Sequence, residues 1–283
     1  MTTQSINRWP APAKLNLFLH ITGRRADGLH QLQTLFQFLD YGDALDFELH
    51  DDGKITRPTG LQHVSETDDL VVRAARLLQA HTRTDRGAAI HVHKRLPEGG
   101  GLGGGSSDAA TTLVALNCIW GTGLNQQELA DLGLELGADV PLFISGQAAW
   151  AEGIGELLTP VELPESWFLV IQPACKILTR DMYQSPELTR NSAAITIAGF
   201  YAGTTRNDFE PLVRKRYPAV AEALDWLNRR VPARLTGSGA CVFGTFEQES
   251  AARRTLDDLP MTWRGFIARG RNRSPLLDRL AKA

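Results

Sequence analysis

Six of the seven residues from Gly99 to Gly105 are glycine, and only Leu102 interrupts the run. Glycine lets a backbone approach a ligand closely and adopt positive φ angles. Successive N–H groups can then face one concavity, and a helix start beside it adds a partial positive charge. Ser106 and Ser107 follow at once with hydroxyls that can hold phosphate oxygens. The run therefore predicts a phosphate-binding loop.

The segments on either side of the glycines support this interpretation. Ala89 to Lys94 alternates in hydrophobicity and predicts a short strand. An Ala- and Leu-rich segment follows the loop and predicts a helix that begins at Ser107 or Asp108. A flexible linker is the competing interpretation, but it would not be expected between an apolar strand and a helix start.

Two familiar nucleotide-binding fingerprints fit the run poorly. A Walker loop needs Lys and then Ser or Thr after its last glycine, and no Lys follows Gly105. A dinucleotide fingerprint can be placed on Gly99–Gly104, but an acidic residue about 20 positions later is missing. Glu128, the nearest candidate, opens a helix instead.

Composition narrows the class of protein. The chain has 283 residues, 43% of them hydrophobic, and a net charge of −2, which predicts a packed core and argues against nucleic-acid binding. Cys118, Cys175 and Cys241 form no CxxC pair, and His91 and His93 share a strand face with no third ligand placed by spacing, so no metal ligands are assigned. No apolar run approaches the ~18 residues of a membrane span. We expect a cytoplasmic protein, a monomer or weak homodimer.

The order of elements predicts an α+β fold with two domains. Residues 13–21 alternate as a half-buried strand, with Lys14 and Asn16 on its polar face. Asp68 is a candidate cap for the next helix, and Asn125 with Glu128 makes a capping box. A passage rich in Gly and Pro then suggests a boundary that divides the chain into residues 1–158 and 159–283.

Three ordered segments carry a resemblance to a known family. The loop, from Pro97 to Ser107, resembles the second motif of the GHMP small-molecule kinases, which include homoserine and mevalonate kinases. Pro-Ala-Lys-Leu-Asn-Leu, residues 12–17, resembles the first motif, and Leu-Thr-Gly-Ser-Gly-Ala-Cys-Val-Phe, residues 235–243, resembles the third. The resemblance implies an ATP-binding N-terminal domain of the ribosomal-S5-like kind and a ferredoxin-like, substrate-binding C-terminal domain, with the site in the cleft between them.

The resemblance also implies roles for individual residues. Lys14 would pair with Asp139 beside the acceptor hydroxyl, although in isolation these are an edge-strand Lys and a turn-forming Asp. ATP would be the phosphate donor, with Mg²⁺ expected alongside it. The residues that would face the nucleotide are Lys94, Pro97, Gly99, Gly100, Gly101, Leu102, Gly103, Gly104, Gly105, Ser106 and Ser107. Asp69 lies where relatives often have an adenine-binding Asn, but a carboxylate cannot donate as an amide does, so it is interpreted as a helix cap.

A finer pattern points to the acceptor. Gly-Arg-Arg-Ala-Asp-Gly-Leu-His, residues 23–30, and Leu-Gly-Ala-Asp-Val-Pro, residues 136–141, resemble the family branch that phosphorylates the 2-hydroxyl of 4-diphosphocytidyl-2-C-methyl-D-erythritol. In that branch Asn16 would bind substrate hydroxyls, and His30, Thr179 and Tyr183 would bind the cytidine. Leu29 replaces the usual aromatic ring at the stacking position. The alternatives are another GHMP kinase, acting on homoserine or a mevalonate derivative, and a non-catalytic nucleotide-binding sensor.

Overall fold

The computed structural model describes residues 5–58, 65, 67–203 and 205–283. The elements of the first half are β1 (Ser5–Arg24), β2 (His30–His50), β3 (Ile55–Thr56), α1 (Leu70–Thr82), β4 (Gly87–His93), α2 (Gly104–Trp120), α3 (Gln126–Leu136), α4 (Val140–Ser145), β5 (Ala149–Glu152) and β6 (Leu157–Pro160). Those of the second half are β7 (Trp167–Gln172), α5 (Thr179–Gln184), α6 (Ile197–Tyr201), α7 (Glu210–Arg216), α8 (Pro218–Asn228), β8 (Ala233–Leu235), β9 (Val242–Phe246), α9 (Glu249–Asp257), β10 (Arg264–Arg271) and α10 (Pro275–Leu280).

The strands form one continuous sheet that passes through both halves of the chain. Its main path runs β3-β4-β2-β10-β7-β9-β8, while β1 and β5 pair with β2, and β6 pairs with β5. Strand β10 joins the halves, because its residues 264–269 pair with β7 and its residues Gly270 and Arg271 pair with β2. All of the pairings except β3 with β4 are antiparallel. Helices and mainly antiparallel strands confirm the α+β class.

Apolar side chains are buried on both sides of the junction between the halves. In the first core, α1, α2 and α4 pack on β2 and β4, with Val72, Leu113 and Phe143 among the buried side chains. In the second core, α7 and α8 pack on β7 and β9. A smaller cluster lies between these two cores and includes Leu15 of β1 and Leu102 of the glycine run. The single large side chain of the run therefore anchors the loop at the junction.

Strand β1 differs from its prediction, because it is buried on both faces. The side chains assigned to the polar face of a half-buried strand, Lys14 and Asn16, are only 3% and 2% exposed. Leu19 and Ile21 of the same strand belong to the second core. On the predicted polar face, Lys14 and Asn16 line a cavity, whereas Phe18 packs in an apolar cluster with Leu35 and Trp150. Solvent covers neither face.

The C-terminal helix α10 packs on the other side of the predicted domain boundary. Strand β6 spans residues 158 and 159 and pairs with β5, so that division falls inside an element. Leu276 of α10 is fully buried in the first core. The last residues of the chain therefore complete the domain that contains the first residues, and the division at 158/159 stays a prediction.

Two predicted helix starts can be compared with the caps observed. The capping box of Asn125 and Glu128 is confirmed at the start of α3. The candidate cap Asp68 is wrong: the Asp69 carboxylate accepts hydrogen bonds from the backbone N–H groups of Val71 and Val72, and Asp69 is the N-cap of α1. Across the described parts of the chain, no helix combines the length and apolarity needed to cross a membrane.

Candidate active site

The glycine run forms a loop held by the two other sequence motifs. Gly99, Gly101 and Gly103 have φ angles of +63°, +75° and +73°, a region that L side chains rarely adopt. The N–H of Lys14 donates to the Leu102 carbonyl at 3.0 Å. From the third motif, the N–H of Cys241 donates to the Gly100 carbonyl at 3.1 Å. Backbone hydrogen bonds thus bring together three segments that are far apart in sequence.

Helix α2 begins at Gly104, inside the glycine run, and not at Ser107 or Asp108 as predicted. Gly103 is its N-cap and supplies no side-chain hydrogen bond. The first N–H groups of a helix have no partner within it, so the backbone of this first turn is available to a ligand. Because glycine has a low helix propensity, the sequence pattern hid the true start. The correction strengthens the phosphate-loop interpretation, since it places the helix N-terminus within the loop.

The loop lines a cavity of about 630 Å³ that reaches from one half of the chain to the other. At one end the wall includes Asp69, Leu70 and Val92, and the middle is the glycine run. At the other end the wall includes Lys14, Asn16, Asp139, Thr179 and Tyr183. The cavity therefore joins the predicted nucleotide loop to most of the residues assigned to catalysis and to the acceptor.

The predicted catalytic pair meets at this cavity. Lys14 Nζ lies 3.5 Å from Asp139 Oδ2, and the Lys14 side chain is 4% exposed whereas that of Asp139 is 34% exposed. Asp139 is the N-cap residue of α4, which has Pro within its first turn, so the backbone that carries the carboxylate is restrained. A buried ammonium beside an accessible carboxylate can stabilise negative charge that develops on an attacking oxygen.

The side chain of Asn16 holds Lys14 in position and keeps only part of its hydrogen-bonding capacity for a ligand. Its side-chain oxygen accepts a hydrogen bond from Lys14 Nζ at 2.5 Å. Its amide nitrogen donates to Thr34 Oγ1 at 2.9 Å, which leaves one amide hydrogen for a substrate hydroxyl. The backbone N–H of Asn16 donates to Thr236 Oγ1 at 3.1 Å, a further contact between the first and third motifs.

Lys94 lies on the nucleotide side between two buried carboxylates. Its ammonium donates to Asp108 Oδ2 at 2.8 Å and also contacts Asp43. Burial alone would lower the pKa of Lys94, but the carboxylates of Asp108 and Asp43 raise it above its ordinary value. Burial raises the pKa of the Asp108 carboxyl to about 7, and the Asp43 charge adds to the rise while Lys94 opposes it.

The two serines after the glycines have different positions. Ser106 lines the cavity together with Pro97. Ser107 is fully buried in α2, does not line the cavity, and its hydroxyl has no hydrogen-bond partner among the described residues. Ser107 is therefore placed behind the phosphate loop, and its predicted contact with ATP is not brought about in this structure.

Three of the residues predicted to bind cytidine, His30, Thr179 and Tyr183, have contacts near α5. The His30 ring lies 4.8 Å from the Tyr183 ring, and Thr179 Oγ1 lies 2.8 Å from Ser238 Oγ. Burial and the nearby Asp139 charge raise the pKa of Tyr183 far above its ordinary value, which keeps its hydroxyl protonated. Leu29 is 48% exposed and, like its neighbour His30, lies outside the cavity lining, which contains Thr179 and Tyr183.

Arg190, which the sequence did not single out, fixes the orientation of His30. Its Nε–H donates to His30 Nε2 at 3.0 Å, and its other donors bind the carbonyls of Tyr183, Ser185 and Leu188. Burial, then the charges of Arg190 and Arg24, lower the pKa of His30. The imidazole is therefore neutral near pH 7 with Nε2 as an acceptor. Arg190 belongs to no motif, so no sequence signal marks it.

Asp69 serves the scaffold at the nucleotide end of the cavity. Besides capping α1, its carboxylate pairs with the Arg57 guanidinium at 2.5 Å, and both side chains are nearly buried. The interpretation of Asp69 as a cap is confirmed. The residues that sequence reasoning missed here are Arg57, Asp43 and Asp108; the position of Asp108 directly after the loop was a usable signal.

Comparisons with known proteins agree with this geometry. Residues 69–147 match the family described as the GHMP kinases N terminal domain, and residues 189–264 match the GHMP kinases C terminal domain. The 4-diphosphocytidyl-2-C-methyl-D-erythritol kinase of Alkalilimnicola ehrlichii is 60% identical over 96% of this chain and 94% of the relative. The protein of that name from Nitrosococcus oceani is 56% identical over 97% of this chain and 98% of the relative.

Solved structures give the same result. A crystal structure of 4-(cytidine 5'-diphospho)-2C-methyl-D-erythritol kinase superposes with a TM-score of 0.79 at 30% identity, covering 94% of this chain and 99% of the other. The Methanococcus jannaschii mevalonate kinase shares the fold, with a TM-score of 0.68 at 17% identity over 96% of this chain and 99% of the other. The chain belongs to the GHMP kinases, a family of ATP-dependent small-molecule kinases. Within that family its place is among the 4-diphosphocytidyl-2-C-methyl-D-erythritol kinases.

Proposed function

We propose that this protein transfers the γ-phosphoryl group of ATP to the 2-hydroxyl of 4-diphosphocytidyl-2-C-methyl-D-erythritol, giving the 2-phosphate and ADP in the non-mevalonate route to isoprenoid precursors. The observation that carries the proposal is the single cavity that joins the glycine loop to the Lys14–Asp139 pair. The names of the relatives supply the identity of the acceptor.

The catalytic pair has the chemistry that transfer to an alcohol needs. Asp139 would accept the hydrogen bond of the acceptor hydroxyl and take up its proton as the oxygen attacks phosphorus. Lys14 would stabilise the negative charge on that oxygen from a buried position, where an electrostatic interaction is stronger than in water. Asn16 holds the ammonium in place through its side-chain oxygen.

The glycine loop would bind the phosphates of ATP through backbone N–H groups and the N-terminus of α2. Lys94, at the side of the loop, adds a positive charge. The base would lie toward Leu70 and Val92, two apolar side chains of the cavity wall. In this arrangement the γ-phosphate points along the cavity toward Lys14 and Asp139.

Magnesium would reach the site with ATP. The described residues contain no group of three His, Cys, Asp or Glu side chains that could hold a metal ion, so a protein cage does not fit this site. Mg²⁺ in kinases neutralises charge on the transferring phosphates. None of the roles derived above for Lys14, Asn16 and Asp139 passes through a metal ligand of the protein.

The cytidine would be bound on the far side of the catalytic pair. His30 is neutral and half-buried beside Tyr183, and a neutral imidazole can read the polar edge of cytosine. We expect the base to stack on the Tyr183 side of this group, near Thr179. We further propose that the protein acts in the cytoplasm, as a monomer or weak homodimer and without nucleic acid.

The test is phosphoryl transfer with purified protein, ATP, Mg²⁺ and a panel of acceptors. We expect turnover with the cytidine substrate and none with homoserine or mevalonate. Asp139→Asn should lower kcat by about 10²–10⁴-fold, and Lys14→Met should lower it by about 10²–10³-fold. ATP binding should be retained in both variants, because neither side chain belongs to the glycine loop.

Matched controls separate these effects from changes in charge alone. Asp278→Asn, on α10, breaks an exposed ion pair with Arg273. Lys215→Met breaks an exposed ion pair with Glu187. Both should retain the wild-type kcat. Preference for an acceptor without cytidine would disprove the substrate assignment. Tight ATP binding without turnover on any acceptor would instead indicate a nucleotide sensor.

A further inference from the structure

Three buried charged groups stand together on the wall of the cavity, behind the glycine loop. Lys94, which follows β4, lies between Asp43 of β2 and Asp108 of α2. The carboxylates are almost completely buried, and the lysine side chain is 21% exposed. Lys94 and Asp108 line the cavity and Asp43 lies behind them. The three groups therefore meet where the phosphates of a nucleotide would enter.

The two carboxylates are not equivalent. Asp43 Oδ1 accepts hydrogen bonds from the N–H groups of Arg95 and Leu96 at 2.5 and 2.8 Å, and its other oxygen contacts Lys94. Asp108 Oδ2 accepts from Lys94, but within the described ranges its buried Oδ1 has no hydrogen-bond partner. Of the two carboxylates, therefore, only Asp108 when ionised has a buried oxygen that no hydrogen bond stabilises.

The local charges favour a proton on Asp108. The charged groups that act on it are Lys94 and Asp43, and burial raises the pKa of its carboxyl to about 7. The helices packed against α2, namely α1, α3, α4 and α10, contribute apolar side chains to the first core. Strand β1 also packs on α2, and its charged group at the cavity is Lys14, which pairs with Asp139. Farther along the wall, Arg57 and Asp69 neutralise each other. With both carboxylates ionised, one ammonium faces two buried negative charges.

We propose that Asp108 is a proton-binding site coupled to the nucleotide, so that ATP binding is accompanied by proton uptake at this carboxyl. The phosphates draw on the Lys94 ammonium, which weakens its interaction with Asp108, and their own negative charge further disfavours the ionised carboxylate. An O–H bond then forms on Asp108 with a proton taken from the buffer acid, which is left as its conjugate base. The inference rests on the proposed function only in that ATP binds at the glycine loop.

Through this protonation Asp108 acts as a positioning residue for Lys94. With Asp108 neutral, Asp43 alone balances the ammonium, and the wall carries no net negative charge toward the incoming polyanion. A purely structural Asp108 would stay ionised in both states and would move no proton. Proton uptake is therefore the quantity that distinguishes the two roles.

The experiment is isothermal titration calorimetry of ATP into the full-length protein, without acceptor, in buffers of different ionisation enthalpy. At about pH 6 Asp108 already carries its proton in the free protein, so we expect its contribution to uptake to be small. Between about pH 7 and pH 8 the contribution should rise toward one proton. Over that interval the affinity for ATP should increase as the pH falls, by up to about tenfold per pH unit.

Asp108→Asn removes the titrating group while it keeps the shape and the acceptor for Lys94. The proton uptake that remains in this variant belongs to the phosphates of ATP. We expect the ATP affinity of the variant to depend less on pH than that of the wild type. The matched control is Asp46→Asn, because Asp46 is on the same strand as Asp43 but pairs with His93 away from the cavity. This control should show the same uptake as the wild type.

Three results would overturn the inference. Equal uptake by the wild type and Asp108→Asn at each pH would show that the proton is bound elsewhere, while the proposed function stands. If Asp108→Asn does not fold, infrared difference spectra of the wild type with and without ATP decide, since a missing gain in protonated carboxyl absorption contradicts the inference. A wild type that does not bind ATP overturns the proposed function and this inference with it.

Discussion

Lys14 shows how strongly a single side chain depends on its surroundings in this site. Its ammonium is buried beside Asn16, Asp139 and the Phe36 ring, and its backbone N–H holds the glycine loop. One residue therefore contributes both to the chemistry and to the shape of the nucleotide site. A substitution that affects only the side chain should consequently leave the loop intact, which is why ATP binding and turnover separate in the test proposed above.

Leu29 gives a prediction at the same scale. It is an exposed leucine beside His30, at the position where the sequence resemblance implies an aromatic ring. Leu29→Tyr should lower KM for the cytidine substrate with little change in kcat, because base–aromatic stacking is worth about 1–3 kcal/mol. Steady-state kinetics with varied acceptor measures this effect. A higher KM would show that residue 29 does not face the base.

Individual site residues differed in how far sequence predicted them. Lys14 and Asp139 lie in recognisable motifs, and the fold brings them together. Arg190 and Asp43 act through hydrogen bonds to residues distant in sequence. These residues become neighbours only when the chain is folded. Ser107 shows the limit of a motif as a guide: it follows the glycines directly, but it is buried within α2 and does not line the cavity, so its contact with ATP stays a prediction.

At the scale of elements, the glycine loop is a backbone whose shape excludes side chains at particular points. Gly101 has a φ of +75°, and a Cβ there would lie 2.2 Å from the Thr236 carbonyl oxygen. Gly105 is inside α2, and a Cβ there would make an ordinary contact with Leu70 at 3.5 Å. The two glycines therefore have different reasons to be present, although the sequence run makes them look alike.

Alanine substitutions should separate these reasons. Gly101→Ala should lower the free energy of unfolding by at least about 1–3 kcal/mol, the cost of a left-handed backbone in a non-glycine residue. Gly105→Ala should raise the free energy of unfolding by about 0.5–1 kcal/mol, because alanine has the higher helix propensity. Urea unfolding measures both. Equal effects of the two substitutions would contradict the loop geometry.

Element boundaries were predicted well where local chemistry decides them and poorly where packing does. The capping box of α3 is a local arrangement and was found. The start of α2 was missed because glycines at residues 104 and 105 disfavour a helix locally, and tertiary contacts of the loop impose it. The burial of both faces of β1 could not be read from alternation, because it depends on the second core packing across the strand.

For the whole molecule, the end of the chain closes the first core. Leu276 of α10 is fully buried in the first core, where α10 packs on β1 and α2, and the Arg279 guanidinium lies 4.7 Å from the Trp9 ring centroid. A fragment that ended at residue 158 would lack both α10 and the β10 partner of β2. The fold is therefore more interlocked than a division into consecutive domains suggests.

Leu276→Ala tests this closure. The substitution should lower the free energy of unfolding by about 2–5 kcal/mol, as is typical for a fully buried leucine. Leu280→Ala, on the same helix but only partly buried, is the matched control and should cost less. The measurement is equilibrium unfolding in urea. A change at residue 276 no larger than that at residue 280 would show that α10 contributes little to the core.

The hydrogen bonds from the third motif to the glycine loop also constrain when the protein becomes competent during its synthesis. The carbonyls of Gly99 and Gly100 accept from Ala240 and Cys241, which are translated long after the loop itself. A ribosome-bound chain that has exposed only the glycine run has the sequence of a nucleotide site without the backbone that shapes it. We therefore expect a growing chain to bind nucleotide only after residue 241 has left the exit tunnel, when these two hydrogen bonds can form.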